Sequence, residues 1–508
     1  MPGYFIGIDS GSQSTKAIVV GALNGRVVGA GAKAYGFIPR LPPGHKEQHP
    51  KVWIDAVITS VRAALRSAKV NPSDVRGIGV SGQQHGFVPL DASGKVIRPA
   101  KLWCDTSTAP QCEEIIGKLG GLTRVIDLIG NGVPPGYTAS KILWLKQSEP
   151  ANYARLATVL LPHDYINFWL TGAKTMEYGD ASGTALMDVR TRQWSDQVIS
   201  AIDPELKSKL PTIQPSDQPA GKLRAEAAKA LGLGPDVLVS AGGGDNMMGA
   251  IGTGNTRSGI VTASLGTSGT IYACSDKPVV DPQGEIAAFC DSTGKWLPLL
   301  CTMNVTVATE MIRNDFGWSF AKMDGEIRKT PVGAGGLVLL PYFEGERTPN
   351  VPDGTGVFFG VNARTFSAAP FARAAMEGAT LGMNYGLNRL RSLGITPTQI
   401  RATGGGSNSA VWRQIMADVF NVEVVCTQTA EGAAYGSALQ AMWCYARQGG
   451  SKVEIWQITD EFVKLDRKSI AKPKSANFEK YQKLQALQDR LSRELRGAFA
   501  AHLELTSE

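Results

Sequence analysis

The sequence predicts an α/β fold built as two similar domains, and three observations predict it. Strand-like and helix-like stretches alternate through the first half. Two glycine-rich turns, Asp9-Ser-Gly-Ser-Gln-Ser-Thr15 and Ser264-Leu-Gly-Thr-Ser-Gly-Thr270, each separate two β-type runs, so they read as like hairpins far apart in the chain. A second β-α-β series starts afresh near Asp236. At 508 residues the chain has room for about two to three domains with well-buried cores.

The first hairpin joins Tyr4–Ile8 to Lys16–Val20, and Leu23-Asn24-Gly25 then turns into Arg26–Ala30, Asn-Gly being the strongest two-residue hairpin signal. A helix is predicted from about residue 50 to 69, because Trp53, Ile54, Val57, Val61, Ala64 and Leu65 recur at helical spacing. It returns to an apolar strand at Val75–Val80. Val237–Ala241 is a strand running into Gly242-Gly-Gly-Asp245, with a helix starting near Asn246. The second hairpin joins Gly259–Ala263 to Thr270–Ala273. Ala368–Ser392 reads as a long helix rich in small residues, and the strand Ile400–Thr403 passes through Gly404-Gly-Gly-Ser-Asn408 into a helix from Ser409 to Phe420. Near the C-terminus Phe478, Tyr481, Leu484, Leu487, Leu491 and Leu495 recur every three or four residues, as on a helix covering the domain. The expected division is 1–245, 246–470 and a helical tail over 471–508.

Composition narrows the function classes. A formal charge of +7 is slight at this length, and the lysines and arginines are scattered, so no nucleic-acid groove is predicted. Seven cysteines without a C-x-x-C pair fit a reducing, cytoplasmic setting better than a disulfide framework or zinc site. No basic segment precedes an apolar stretch at the start, and no apolar run reaches roughly 18 residues, so no membrane association is predicted.

The glycine turns suggest a split phosphate site, since backbone N–H groups in such turns point at anions and a turn opening a helix adds the positive end of its dipole. Asp9 is either a turn-stabilising carboxylate or a holder of Mg²⁺ through water. Asp245 is either the cap of the next helix or a carboxylate poised at a reaction centre, and the two are compatible. His85, in Ser81-Gly-Gln-Gln-His-Gly86, is by default a buried histidine after a strand; the two glutamines before it instead suit recognition of a polyol.

Taken in order, Ile8-Asp-Ser-Gly-Ser-Gln-Ser-Thr-Lys16, Ser81-Gly-Gln-Gln-His-Gly86, Gly242-Gly-Gly-Asp-Asn246, Ser264-Leu-Gly-Thr-Ser-Gly269, Leu340-Pro-Tyr-Phe-Glu-Gly-Glu-Arg-Thr-Pro349 and Gly404-Gly-Gly-Ser407 resemble the landmarks of the FGGY carbohydrate kinases, up to about Tyr445. The resemblance implies two actin-like, ribonuclease H-like domains with the active site in the cleft between them, ATP and Mg²⁺ as cofactors, and a sugar as acceptor. It implies Asp245 as general base, with Gln84, His85, Trp103, Asp105 and Asn246 on the sugar. Thr15, Gly266, Thr267, Ser268, Gly404, Gly405, Gly406, Asn408 and Ser409 are implied on ATP, and Asp9 at the metal. The Gln-His-Gly segment is similar to that of members acting on D-xylulose rather than on glycerol or ribulose. The chain departs from many bacterial members after Asp105, where Thr106-Ser-Thr108 stands in place of Gly-Arg. Another ketose or a sugar alcohol as substrate, an actin-like assembly or sensor protein, and a homodimer are left open.

Overall fold

The computed structural model describes residues 3–506. The chain forms two compact units, and they are interleaved. The first comprises Met1–Arg257, Cys274–Pro298 and Glu431–Val463; the second comprises Ser258–Ala273, Leu299–Ala430 and Lys464–Glu508. The expected boundaries at 245 and 470 divide the chain serially and differ from this arrangement. The physical reason is visible at Gly7: a Cβ there would lie 1.8 Å from the carbonyl oxygen of Ala434, so the helix Gly432–Gln448 seats directly on the first unit's sheet. Phe5, Ile18, Met248, Ala438 and Leu439 share its apolar core, which ties this late segment to the N-terminal strands.

The sheet of the first unit runs Pro219–Lys222, Leu238–Ser240, Val75–Gly82, Tyr4–Ser10, Ser14–Gly21, Val27–Ala34. Tyr4–Ser10 is antiparallel to its hairpin partner and parallel to Val75–Gly82. The helix Lys51–Ala68 buries Trp53, Ile54, Val57, Val61 and Ala64, the residues its periodicity singles out. In the second unit Ile260–Leu265 is antiparallel to Gly269–Ala273 and parallel to Gln399–Thr403, which is parallel to Glu423–Thr427, which is antiparallel to Leu465–Ala471. Hairpin, two parallel neighbours and an antiparallel edge strand thus occur in the same order in both units.

The predicted helix Ala368–Ser392 forms over those residues. The C-terminal apolar series lies on the helix Ser475–Glu494 and its C-cap Leu495, followed by the helix Arg496–Thr506; Leu491 and Phe499 pack on Val338, Leu340 and Tyr342, with Leu484, Leu487 and Leu495 at the margin. That is the covering role the spacing predicts. Among the described residues no helix is long and apolar enough to cross a membrane.

Candidate active site

Strand register gathers the first cluster. Asp9 pairs with Ser81, and Ser81 with Gly243, so three segments distant in sequence end side by side. Ser81 Oγ donates to Asp9 Oδ1 at 2.9 Å. The glycine triple is required by close approach: a Cβ on Gly244 would lie 2.6 Å from Gln84 Cγ, so the Gln84 side chain rests on bare backbone.

Gly244 is the cap of the helix Asp245–Gly252, and Asp245 is its first residue, which corrects the reading of Asp245 as cap. Its Oδ1 accepts the backbone N–H of Asn246 at 2.8 Å and Asn246 Nδ2 at 3.1 Å. The same Nδ2 donates to Gln84 Oε1 at 2.7 Å, while Gln84 Nε2 is buried without a hydrogen-bond partner. Burial first, then the negative charges of Asp9 and Asp180, push the Asp245 carboxyl up to about 7. A carboxyl near neutrality is matched to accepting a proton at physiological pH.

His85 sits at φ 62, a left-handed conformation uncommon outside glycine. Its carbonyl oxygen accepts from Lys141 Nζ at 2.8 Å and Thr138 Oγ1 at 3.2 Å, and Lys141 also donates to Gly136 O. Burial lowers the Lys141 ammonium to about 7, so holding this backbone carries an electrostatic cost. The ring lies 4.4 Å from Tyr137 and 5.5 Å from Phe289, centroid to centroid. Behind it, His163 Nδ1 is 3.0 Å from Asp180 Oδ2 and its Nε2 is 2.9 Å from Asp164 Oδ1. Although burial opposes it, these two carboxylates hold His163 protonated well above the usual histidine range. Glu177 is pushed up to about 7 by burial and accepts from Gly179 N and Asp180 N. Tyr137, Lys141, His163, Asp164, Glu177, Asp180 and Phe289 were not singled out from the sequence. The one available signal was the density of charges between small residues in Glu177-Tyr-Gly-Asp-Ala-Ser-Gly183.

Asp105 is buried, and its carboxylate accepts from Lys46 N at 2.8 Å, Lys101 Nζ at 3.2 Å, Ser107 N at 3.1 Å and Ser107 Oγ at 2.5 Å. Burial works against ionisation, but the Ser107, Lys46 and Lys101 contacts hold Asp105 below the usual carboxylate range. It anchors the loop that carries the half-buried Trp103. His45, Glu47 and Asp105 have the spacing of metal ligands, yet Lys101 Nζ lies 3.3 Å from both His45 Nδ1 and Glu47 Oε1, so an ammonium compensates this cluster. Thr15 is also internal: its Oγ1 is 3.0 Å from Ser10 Oγ and 3.1 Å from Tyr35 OH, and it braces the first hairpin turn from beneath.

In the second unit the turn Gly266–Ser268 is fixed by Val305 N donating to Thr267 O at 2.9 Å and Thr306 N to Gly266 O at 3.0 Å. Thr267 is exposed. Gly404, at φ 84, lies against the backbone of Leu265, which sets the two glycine turns side by side. A 3₁₀ turn over Gly405–Asn408 precedes the helix Ala410–Phe420, and Ser409 is its cap, accepting from Trp412 N at 3.1 Å and donating to Asp324 at 2.8 Å. The Ser409 hydroxyl is therefore occupied, whereas Gly404, Gly405 and Asn408 are exposed and a Cβ at Gly405 would meet open space.

Residues 4–252 match the N-terminal domain of the FGGY family of carbohydrate kinases, and residues 261–445 its C-terminal domain. The chain belongs to that family. This FGGY kinase is 43% identical over 484 residues to the xylulose kinase of Haemophilus influenzae, covering 94% of this chain and 97% of that one. It is 33% identical over 488 residues to the xylulose kinase of Bacillus subtilis, covering 95% of each. Among solved structures it is similar to a xylulose kinase from Rhodospirillum rubrum, with a TM-score of 0.88 at 28% identity over 98% of this chain and 100% of that one. A gluconate kinase from Lactobacillus acidophilus gives a TM-score of 0.90 at 23% identity over 98% and 99%. The second likeness shows the two-domain, actin-like fold alone, so backbone shape does not select the sugar.

Proposed function

We propose that this FGGY kinase transfers the γ-phosphoryl group of ATP to the O5 hydroxyl of D-xylulose, giving D-xylulose 5-phosphate and ADP. The observation that carries the chemistry is the Gln84–Asn246–Asp245 network, in which a carboxyl pushed up to about 7 accepts from the Asn246 backbone N–H and side-chain amide, and that amide also donates to Gln84. The full-length identity to relatives named xylulose kinase supports the choice of sugar.

Phosphoryl transfer passes through a loose transition state, so catalysis rests on alignment and charge neutralisation. Asp245 would orient the O5 hydroxyl and take its proton late, when the bond to phosphorus is largely formed. Gln84, with its unpaired Nε2, and His85 would read hydroxyls of the ketose, with Trp103 at the sugar's edge. The backbone of Gly266–Ser268 and Gly404–Gly406, with Asn408, would receive the nucleotide. Asp9 fits a hydrated Mg²⁺: it offers hard carboxylate oxygens, it repels Asp245, and the nearest cation, Lys16, is shared with Glu431. Such an ion, when bound, supplies positive charge to the β- and γ-phosphates. Seven free cysteines suit a reducing cytoplasm as the working compartment.

Coupled ADP release across a panel of ketoses, aldoses and polyols tests the assignment. D-Xylulose is expected to give the highest kcat/KM. A higher value for another sugar replaces the substrate, and no stimulation by any sugar removes the kinase reading.

A further inference from the structure

Asp180 is fully buried in the first unit and divided between two histidines. Its Oδ2 is spent on His163 Nδ1 at 3.0 Å, whereas Oδ1 makes no hydrogen bond and lies 3.9 Å from His85 Nδ1. A buried carboxylate oxygen left without a donor is destabilising, the more so when charged, so its persistence calls for a use. His163 cannot turn away to serve it, because Asp164 holds the other side of that ring. The His85 ring is confined as well. Tyr137 and Phe289 stack beside it, and the backbone of Gly183 comes so close that a Cβ there would lie 2.1 Å from His85 Cε1. The 3.9 Å between Nδ1 and Oδ1 lies just outside the hydrogen-bond range of about 2.7–3.2 Å, so a shift of about 1 Å closes the contact.

Resting on the reading of His85 as a sugar contact, we propose that Asp180 is a positioning residue that selects the His85 tautomer. With ketose bound, His85 Nδ1–H donates to Asp180 Oδ1, and Nε2 is left as an acceptor for a sugar hydroxyl. Hydrogen bonds that are long in a free enzyme commonly tighten in its substrate complex. The His163 imidazolium anchors Asp180 from the far side through Oδ2 at 3.0 Å. The consequence is directional: an Nε2 acceptor makes the bound hydroxyl the donor and leaves its lone pairs for other partners, whereas the other tautomer would present a donor instead.

Five histidines make the test tractable. Protein labelled with ¹⁵N-histidine is titrated with D-xylulose, His85 is assigned by loss of its signals in His85→Ala, and two-bond ¹H–¹⁵N correlations report the tautomer. The expected result is His85 protonated at Nδ1 in the sugar complex. Asp180→Asn, which keeps the shape but not the charge, is expected to raise the KM for D-xylulose at least tenfold while leaving the KM for ATP near that of the parent. An Nε2-protonated His85 in the sugar complex, or an unchanged sugar KM in Asp180→Asn, overturns the role of Asp180 while leaving His85 in the pocket. His85 resonances that do not respond to D-xylulose at all overturn both the pocket reading and this inference. The labelled wild-type protein alone decides the tautomer should the Asp180 variant fold poorly.

Discussion

Asn246 Nδ2 donates to Gln84 Oε1 at 2.7 Å across a sequence separation of 162 residues. The contact locks the end of the strand Val75–Gly82 to the first turn of the helix Asp245–Gly252 and leaves Gln84 Nε2 buried without a hydrogen-bond partner. Gln84→Ala and Asn246→Ala should each raise the KM for D-xylulose, and the double variant should lose less than the sum. Residues in one hydrogen-bond network typically couple by about 0.5–3 kcal/mol. Strictly additive losses in a double-mutant cycle would show that the two side chains act separately.

The pH dependence follows from Asp245. As the proposed general base it would act in its ionised form, so kcat should climb with pH through about 7 and level off above. The folded state keeps this proton up to about 7, whereas an unfolded chain releases it near 3.8. Between those values the native state binds more protons, so this carboxyl makes stability fall as pH rises. Asp245→Asn removes the effect: the variant's melting temperature should gain on the parent's as pH rises from about 4 to 8. A constant difference across that window contradicts a carboxyl held neutral by burial.

The nucleotide turn gives a contrast between neighbours. Ser409→Ala removes a helix cap and should cost about 1 kcal/mol of stability with the KM for ATP unchanged. Gly405→Leu places a side chain in open space and should raise the KM for ATP at little cost in melting temperature. The reverse pattern would assign ATP to Ser409 and take it from Gly405.

Much of this was legible because it is local. Asn24-Gly25 between apolar runs gives its hairpin, and the periodicity of Trp53, Val57 and Val61 gives its helix, since turn chemistry and helical spacing act within a few residues. Asp245 stood out as a carboxylate after three glycines. The interleaved units were not legible, because nothing local to Gly432–Gln448 shows that it packs against Gly7, more than 400 positions earlier. Thr15 and Ser409 were read as ligand contacts from residue type, but their hydroxyls are occupied by Ser10, Tyr35 and Asp324, partners 5, 20 and 85 positions away. The Asp180 and His163 pair escaped for the same reason: buried charges are understood only through partners that the fold brings from elsewhere.

Steady-state turnover of D-xylulose and ATP by Asp245→Asn, measured beside the wild-type enzyme with thermal melting as a control for folding, tests the assignment of Asp245 as general base most directly. Loss of the base is expected to lower kcat by about 10²–10⁴-fold while the protein melts no earlier than its parent at pH 8. A variant that folds normally and retains more than a tenth of wild-type turnover contradicts it.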